Sequence, residues 1–102
     1  MARRCVAQRS ALPEGSLLRV VVDDVALCLA HASDGQIYAV ADSCTHEQTP
    51  LSDGELLGMT VECPLHGSRF DVRTGEVSGL PAELPVATYP IVVEGDDVYV
   101  EF

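Results

Sequence analysis

Two short motifs, Cys44-Thr45-His46 and Cys63-Pro64-Leu65-His66, constrain this chain more than any other feature. Each pairs a thiol with an imidazole two or three residues further on, and 16 residues separate the pairs. Side chains so close in sequence can turn toward a common centre only from irregular backbone, so the fold must present two loops. Pro64 lies inside the second pair and Gly67 directly follows it. One fixes its backbone angle and the other frees it, as a tight loop requires.

The sequence around those loops has β character. Leu17–Val22, Val25–His31 and Gln36–Val40 are apolar or β-branched runs separated by Asp23-Asp24 and Ser33-Asp34-Gly35, and they read as consecutive antiparallel strands. Met59–Cys63, Ser68–Val72, Val86–Glu94 and Val98–Phe102 resume the pattern, with turns at Arg73-Thr74-Gly75 and Gly95-Asp96-Asp97. Apolar residues keep helical spacing nowhere over a dozen positions. The expectation is an all-β antiparallel sandwich or barrel of roughly eight short strands. Two stretches, Ala41–Gly58 and Gly79–Pro85, break the strand rhythm and read as working loops. With 102 residues and no repeat or linker, one domain spanning 1–102 is expected.

Sixteen acidic residues face six arginines and no lysine, for a net charge of -10. That sign disfavours nucleic acid and anionic membranes and favours a basic protein partner. Charges cancel as far as residue 41; from Asp42 onward, twelve acids face only Arg69 and Arg73, so the negative field belongs to the half that holds both motifs. Glu47, Asp53, Glu55 and Glu62 around the motifs are candidate steering charges. The longest apolar run, Val25–Ala30, is far short of the roughly 18–20 residues of a membrane span. Arg3-Arg4 is followed by Gln8, Arg9 and Ser10 where an export signal would be apolar. A cytoplasmic location is therefore expected, and in that reducing compartment thiols serve metals or packing rather than disulfides. Cys5 and Cys28, in apolar strand-like runs, are expected to be buried packing thiols, and His31 to be a surface residue.

Two thiolates and two neutral imidazoles could hold a tetrahedral zinc ion, although structural zinc loops usually group like ligands. Here each loop mixes one of each. The chain at this point resembles the Rieske-type [2Fe-2S] ferredoxins of bacterial aromatic ring-hydroxylating dioxygenase systems. The resemblance runs from Leu17 to Phe102 and is sharpest in Cys44-Thr45-His46, in Cys63-Pro64-Leu65-His66-Gly67-Ser68-Arg69-Phe70-Asp71 and in Arg73-Thr74-Gly75. It implies a Rieske-like fold with a two-loop cluster-binding subdomain, its loops near 41–58 and 63–70, and a covering proline loop near 79–85. It further implies that Cys44 and Cys63 hold one iron and His46 and His66 the other, with two sulfides bridging them.

Charge counting shows what such ligands achieve. Two ferric ions, two sulfides and two thiolates sum to zero, whereas four thiolates would leave two negative charges, so the mixed set accepts an electron more readily. Such centres lie at about -150 to +300 mV. The high-potential members carry an extra cysteine in each loop, where this chain has Thr49 and Leu65. Ser68 matches their sulfide-facing serine, but Phe70 lacks the hydroxyl of their tyrosine, which places the expected potential in the lower part of the range.

By this resemblance the chain is a one-electron carrier from a flavin-dependent NAD(P)H reductase to a Rieske-type oxygenase. It is expected to be a monomer and not itself an enzyme, with no catalytic residue and no small-molecule substrate of its own. Two alternatives stay open at this point: a Rieske ferredoxin of iron-sulfur cluster assembly, and a zinc-stabilised or redox-sensing interaction module.

Overall fold

The structure is a computed structural model that describes residues 3–44, 49–64, 67–79 and 84–101. Its strands in chain order are β1 (Arg3–Gln8), β2 (Leu17–Val22), β3 (Val25–His31), β4 (Ile37–Ala41), β5 (Glu55–Leu57) and β6 (Thr60–Glu62). They continue with β7 (Arg69–Asp71), β8 (Val77–Gly79), β9 (Thr88–Tyr89), β10 (Ile91–Glu94) and β11 (Asp97–Glu101). Three antiparallel sheets result, ordered β1-β11-β10, β2-β3-β4-β9 and β5-β6-β7-β8. Among the described residues, no helix is long and apolar enough to cross a membrane.

The sheet β2-β3-β4-β9 is the centre of the molecule because alternate side chains on its middle strands are apolar on both faces. Cys28 pairs with Val40 and Leu29 with Ala39 across β3 and β4. Cys28, Ala30 and Val40 join Val61, Phe70 and Val72 in one buried core, while Leu29, Ile37 and Ala39 join Leu12 and Val98 in another. The first core roots the β5–β8 sheet and the second roots the sheet of β1, β10 and β11. The β2–β3 turn is the two-residue Asp23-Asp24 pair, with φ of 50° and 67°. Aspartate is one of the few residues besides glycine that tolerate that left-handed backbone.

The all-β expectation holds, with eleven strands among the described residues in place of roughly eight. Arg3–Gln8, Glu55–Leu57 and Val77–Gly79 are strands the sequence pattern did not mark, and Glu55–Leu57 lies inside the stretch 41–58 read as loop. The run Val86–Glu94 is not one strand. Pro90, which has no N–H to donate, interrupts it, so that β9 pairs with β4 in the central sheet and β10 with β11 in another.

Two side chains are placed contrary to expectation. Cys5 is exposed because the ladder between β1 and β11 shifts register after it, turning Val6 and Ala7 to the core instead. His31 is buried. Its Nδ1 lies 2.8 Å from the Leu12 carbonyl, and the 12–16 segment folds over it through Gly15 N–H to His31 O at 2.8 Å and His31 N–H to Ser16 O at 3.2 Å. Cys28 is buried as expected.

Candidate metal centre

Both cysteines of the motifs open a loop closed in the same way. The Cys44 amide donates to the Thr49 carbonyl at 2.8 Å, and the Cys63 amide to the Ser68 carbonyl at 2.7 Å. Each bond spans five residues, one closing the stretch that follows β4 and the other the stretch that joins β6 to β7. The second is a hairpin tip: Glu62 and Arg69 are paired at its base and joined by Nε to Oε2 at 2.8 Å. Gly67 takes the left-handed φ of +74° that its return requires.

Cys44 and Cys63 are 0% and 1% exposed and belong to one core with Leu51, Val61 and Phe70. Ser68, whose carbonyl accepts the closing bond of the second loop, is fully buried as well. His46 and His66, with Glu47, fall in the spans 45–48 and 65–66 outside the described residues, as do residues 80–83 of the expected covering loop. The Val86 amide donates to the Gly75 carbonyl at 2.8 Å, and a methyl group on Gly75 would overlap the Val86 carbonyl oxygen.

Charge is arranged unevenly around the loops. Asp53 and Glu55 are exposed, and with Glu62 they line a concavity of about 290 Å³ that reaches Cys63 and Pro64. Asp42 behaves differently from these surface acids: its side chain is fully buried and joined to Arg19 Nη1 at 2.9 Å. In the sequence it stands out only as one of twelve acids from residue 42 onward. Cys28 shares the core of the two motif cysteines, but burial first, and the Asp42 charge second, push its thiol up to about 12. It therefore remains protonated and is no rival as a thiolate ligand.

The donor set suits a cluster held by two thiolates and two imidazoles. The two thiols are buried in one core, and each span closed by a cysteine amide bond carries one histidine of the sequence. Leu51 and Phe70, both fully buried, share that core with the two cysteines and would keep solvent from an iron-sulfur group held by them.

Comparison with known proteins agrees. The Rieske [2Fe-2S] domain family matches residues 2–90. The ferredoxin component of the naphthalene 1,2-dioxygenase system of Pseudomonas aeruginosa is 42% identical over 90 residues, covering 88% of this chain and 86% of that protein. The ferredoxin of carbazole 1,9a-dioxygenase from Nocardioides aromaticivorans IC177 superposes with a TM-score of 0.92 at 34% identity, over 98% of this chain and 97% of that one. A chain of the complex of reduced oxygenase and oxidised ferredoxin in carbazole 1,9a-dioxygenase matches with a TM-score of 0.88 at 35% identity, over 96% of this chain and 100% of that one. The zinc-only reading gives way to these matches. This chain belongs to the Rieske [2Fe-2S] domain family and carries a [2Fe-2S] cluster.

Proposed function

We propose that this chain is the ferredoxin of a Rieske dioxygenase system, a one-electron carrier that is reduced by a flavin-dependent NAD(P)H reductase and delivers to a Rieske-type oxygenase. In this reading it acts as a monomer in the cytoplasm. Cys44 and Cys63 hold one iron through their thiolates, and His46 and His66 hold the other through ring nitrogens. The observation that carries the reading is the matched pair of loops, each opening at a buried cysteine and closed by the same amide-to-carbonyl bond. Ferredoxins of oxygenase systems match the chain around those loops along nearly its whole length.

When bound, the cluster takes up and gives back one electron. The protein's part is to fix the ligands before and after that change, so that little has to move. Buried cysteines between two sheets, the two amide-to-carbonyl bonds that start at them and the close approach of Val86 to Gly75 all serve that rigidity. Phe70 brings no hydroxyl toward the ligand sulfurs, so the reduced state has one donor fewer and the potential belongs in the lower part of the Rieske range.

Potentiometric titration of the purified protein, followed by electron paramagnetic resonance, tests the reading. The expected result is a reduced, histidine-ligated signal at a potential below zero. Absence of any signal after reconstitution with iron and sulfide would reject it, and a value well above zero would reject the account of Phe70. Sedimentation of the loaded protein at the mass of one chain, and reduction of an oxygenase by it, test the partner and monomer assignments.

A further inference from the structure

Asp42 is a buried carboxylate on which three bonds converge. Its Oδ1 accepts the Ser52 N–H at 2.7 Å, and its Oδ2 accepts both the Ser52 hydroxyl at 2.6 Å and Arg19 Nη1 at 2.9 Å. Its own amide donates to the Ala26 carbonyl on β3 at 3.0 Å. One side chain therefore ties the two ends of the first cysteine loop, residues 42 and 52, to each other and to the central sheet.

The tie continues to the second loop. Two residues beyond Ser52 is Gly54, and a methyl group there would overlap the carbonyl oxygen of Glu62, the residue before Cys63. A continuous path thus runs from β3 through Asp42, Ser52, Gly54 and Glu62, with Cys44 two residues from one end and Cys63 next to the other. Apolar packing alone could bury this position, and a fully desolvated carboxylate is costly unless each oxygen is answered, as both are here.

We propose that Asp42 is a positioning residue: the Arg19–Asp42–Ser52 clamp sets the first cysteine loop against the second and thereby governs how firmly the cluster is kept and how its ligands sit. This rests on the reading that Cys44 and Cys63 hold the cluster. The carboxylate acts through Ser52 and the loop, and the functional consequence is a ligand frame that stays the same through reduction.

The test uses the cluster-loaded full chain. Decay of visible absorbance under chelator gives the rate of cluster loss, and paramagnetic resonance of the reduced protein reports ligand geometry. Asp42→Ala should lose its cluster about tenfold faster than the wild type and show altered resonance positions, the size expected when charge-assisted bonds are removed. Asp42→Asn keeps an acceptor for the Ser52 N–H and should recover most of the wild-type behaviour.

Ser52→Ala, which removes one hydroxyl bond, should speed loss about threefold. It keeps the proposal testable if Asp42→Ala does not fold. Wild-type loss rates and unchanged resonance in both Asp42→Ala and Ser52→Ala would overturn the clamp. A wild-type protein without a histidine-ligated signal would instead overturn the ligand assignment and the clamp with it, so the two failures are told apart by the unmutated chain.

Discussion

The central sheet and the sheet that carries the cysteine loops are built by different rules. Strands β2, β3 and β4 run for six, seven and five residues, and the middle of the sheet is buried on both faces. Strands β5 to β8 run for three residues each. The first region is specified by apolar residues repeated over many positions on both faces, so its stability is spread widely. In the second, a few contacts do the same work: the Asp42 clamp, two glycine close approaches and the buried side chains of Val61 on β6 and Phe70 on β7. A distributed structure tolerates a local fault, whereas one held at points does not.

The largest expected effects separate the two regions directly. Leu29→Ala removes a fully buried side chain from the central strand and should cost about 2–5 kcal/mol, lowering the unfolding midpoint of the whole molecule. Gly54→Ala puts a methyl group onto the Glu62 carbonyl, which is backbone and cannot swing aside. It should sharply reduce cluster loading while amide exchange in β2–β4 stays near wild type. Loss of protection across all three sheets in Gly54→Ala would show that the loop-bearing sheet is not a separable unit.

Removing the cluster comes next in size. If bound iron completes a sheet that is marginal on its own, the apo-protein should lose amide protection in β5–β8 by about 100-fold, the factor of roughly 2.7 kcal/mol supplied by a ligand held at a hundred times its dissociation constant. Protection in β2–β4 should change little. Equal loss in both regions would mean that the cluster stabilises the molecule as a whole.

The same contrast explains what could be read in the sequence. Leu17–Val22 and Val25–His31 are legible to the residue because an apolar run and a two-residue aspartate turn carry their own local signal. Glu55–Leu57 and Val77–Gly79 are too short for a period of two to show, and they exist only because β6 and β7 offer edges. The motif cysteines were legible through spacing. Asp42 was not, since its meaning depends on Ser52 ten residues on and Arg19 on another strand. His31 and Cys5 were misplaced for a related reason: a carbonyl nineteen residues away covers one, and a register shift turns the other outward.

A smaller effect concerns the third thiol of the central core. The Cys28 thiol is raised from the ordinary 9.0 to about 12, by burial and then by Asp42. Between those two values the unfolded chain has given up a proton that the folded chain keeps, so the contribution is fully present below pH 9 and declines as pH rises toward 12. In the cluster-loaded protein the loss should be on the order of 1 kcal/mol by pH 10. Cys28→Ala should remove that part of the alkaline slope in denaturant titrations across the interval, leaving the cluster signal intact. An unchanged slope would place the alkaline sensitivity elsewhere.

The smallest effect tests whether the loop-bearing sheet really depends on buried contacts rather than on its surface charges. Glu62 and Arg69 join the base of the second cysteine loop, but their side chains are 28% and 52% exposed. An exposed pair of this kind contributes below about 1 kcal/mol and weakens with salt. The loop beneath it is closed by the Cys63 amide and anchored by Phe70, neither of which needs the arginine. Arg69→Ala should therefore shift stability by less than about 1 kcal/mol and leave cluster retention and potential unchanged. A loss of cluster comparable to that of Asp42→Ala would reverse the ranking, making the surface ion pair rather than the buried clamp the point at which this sheet is held.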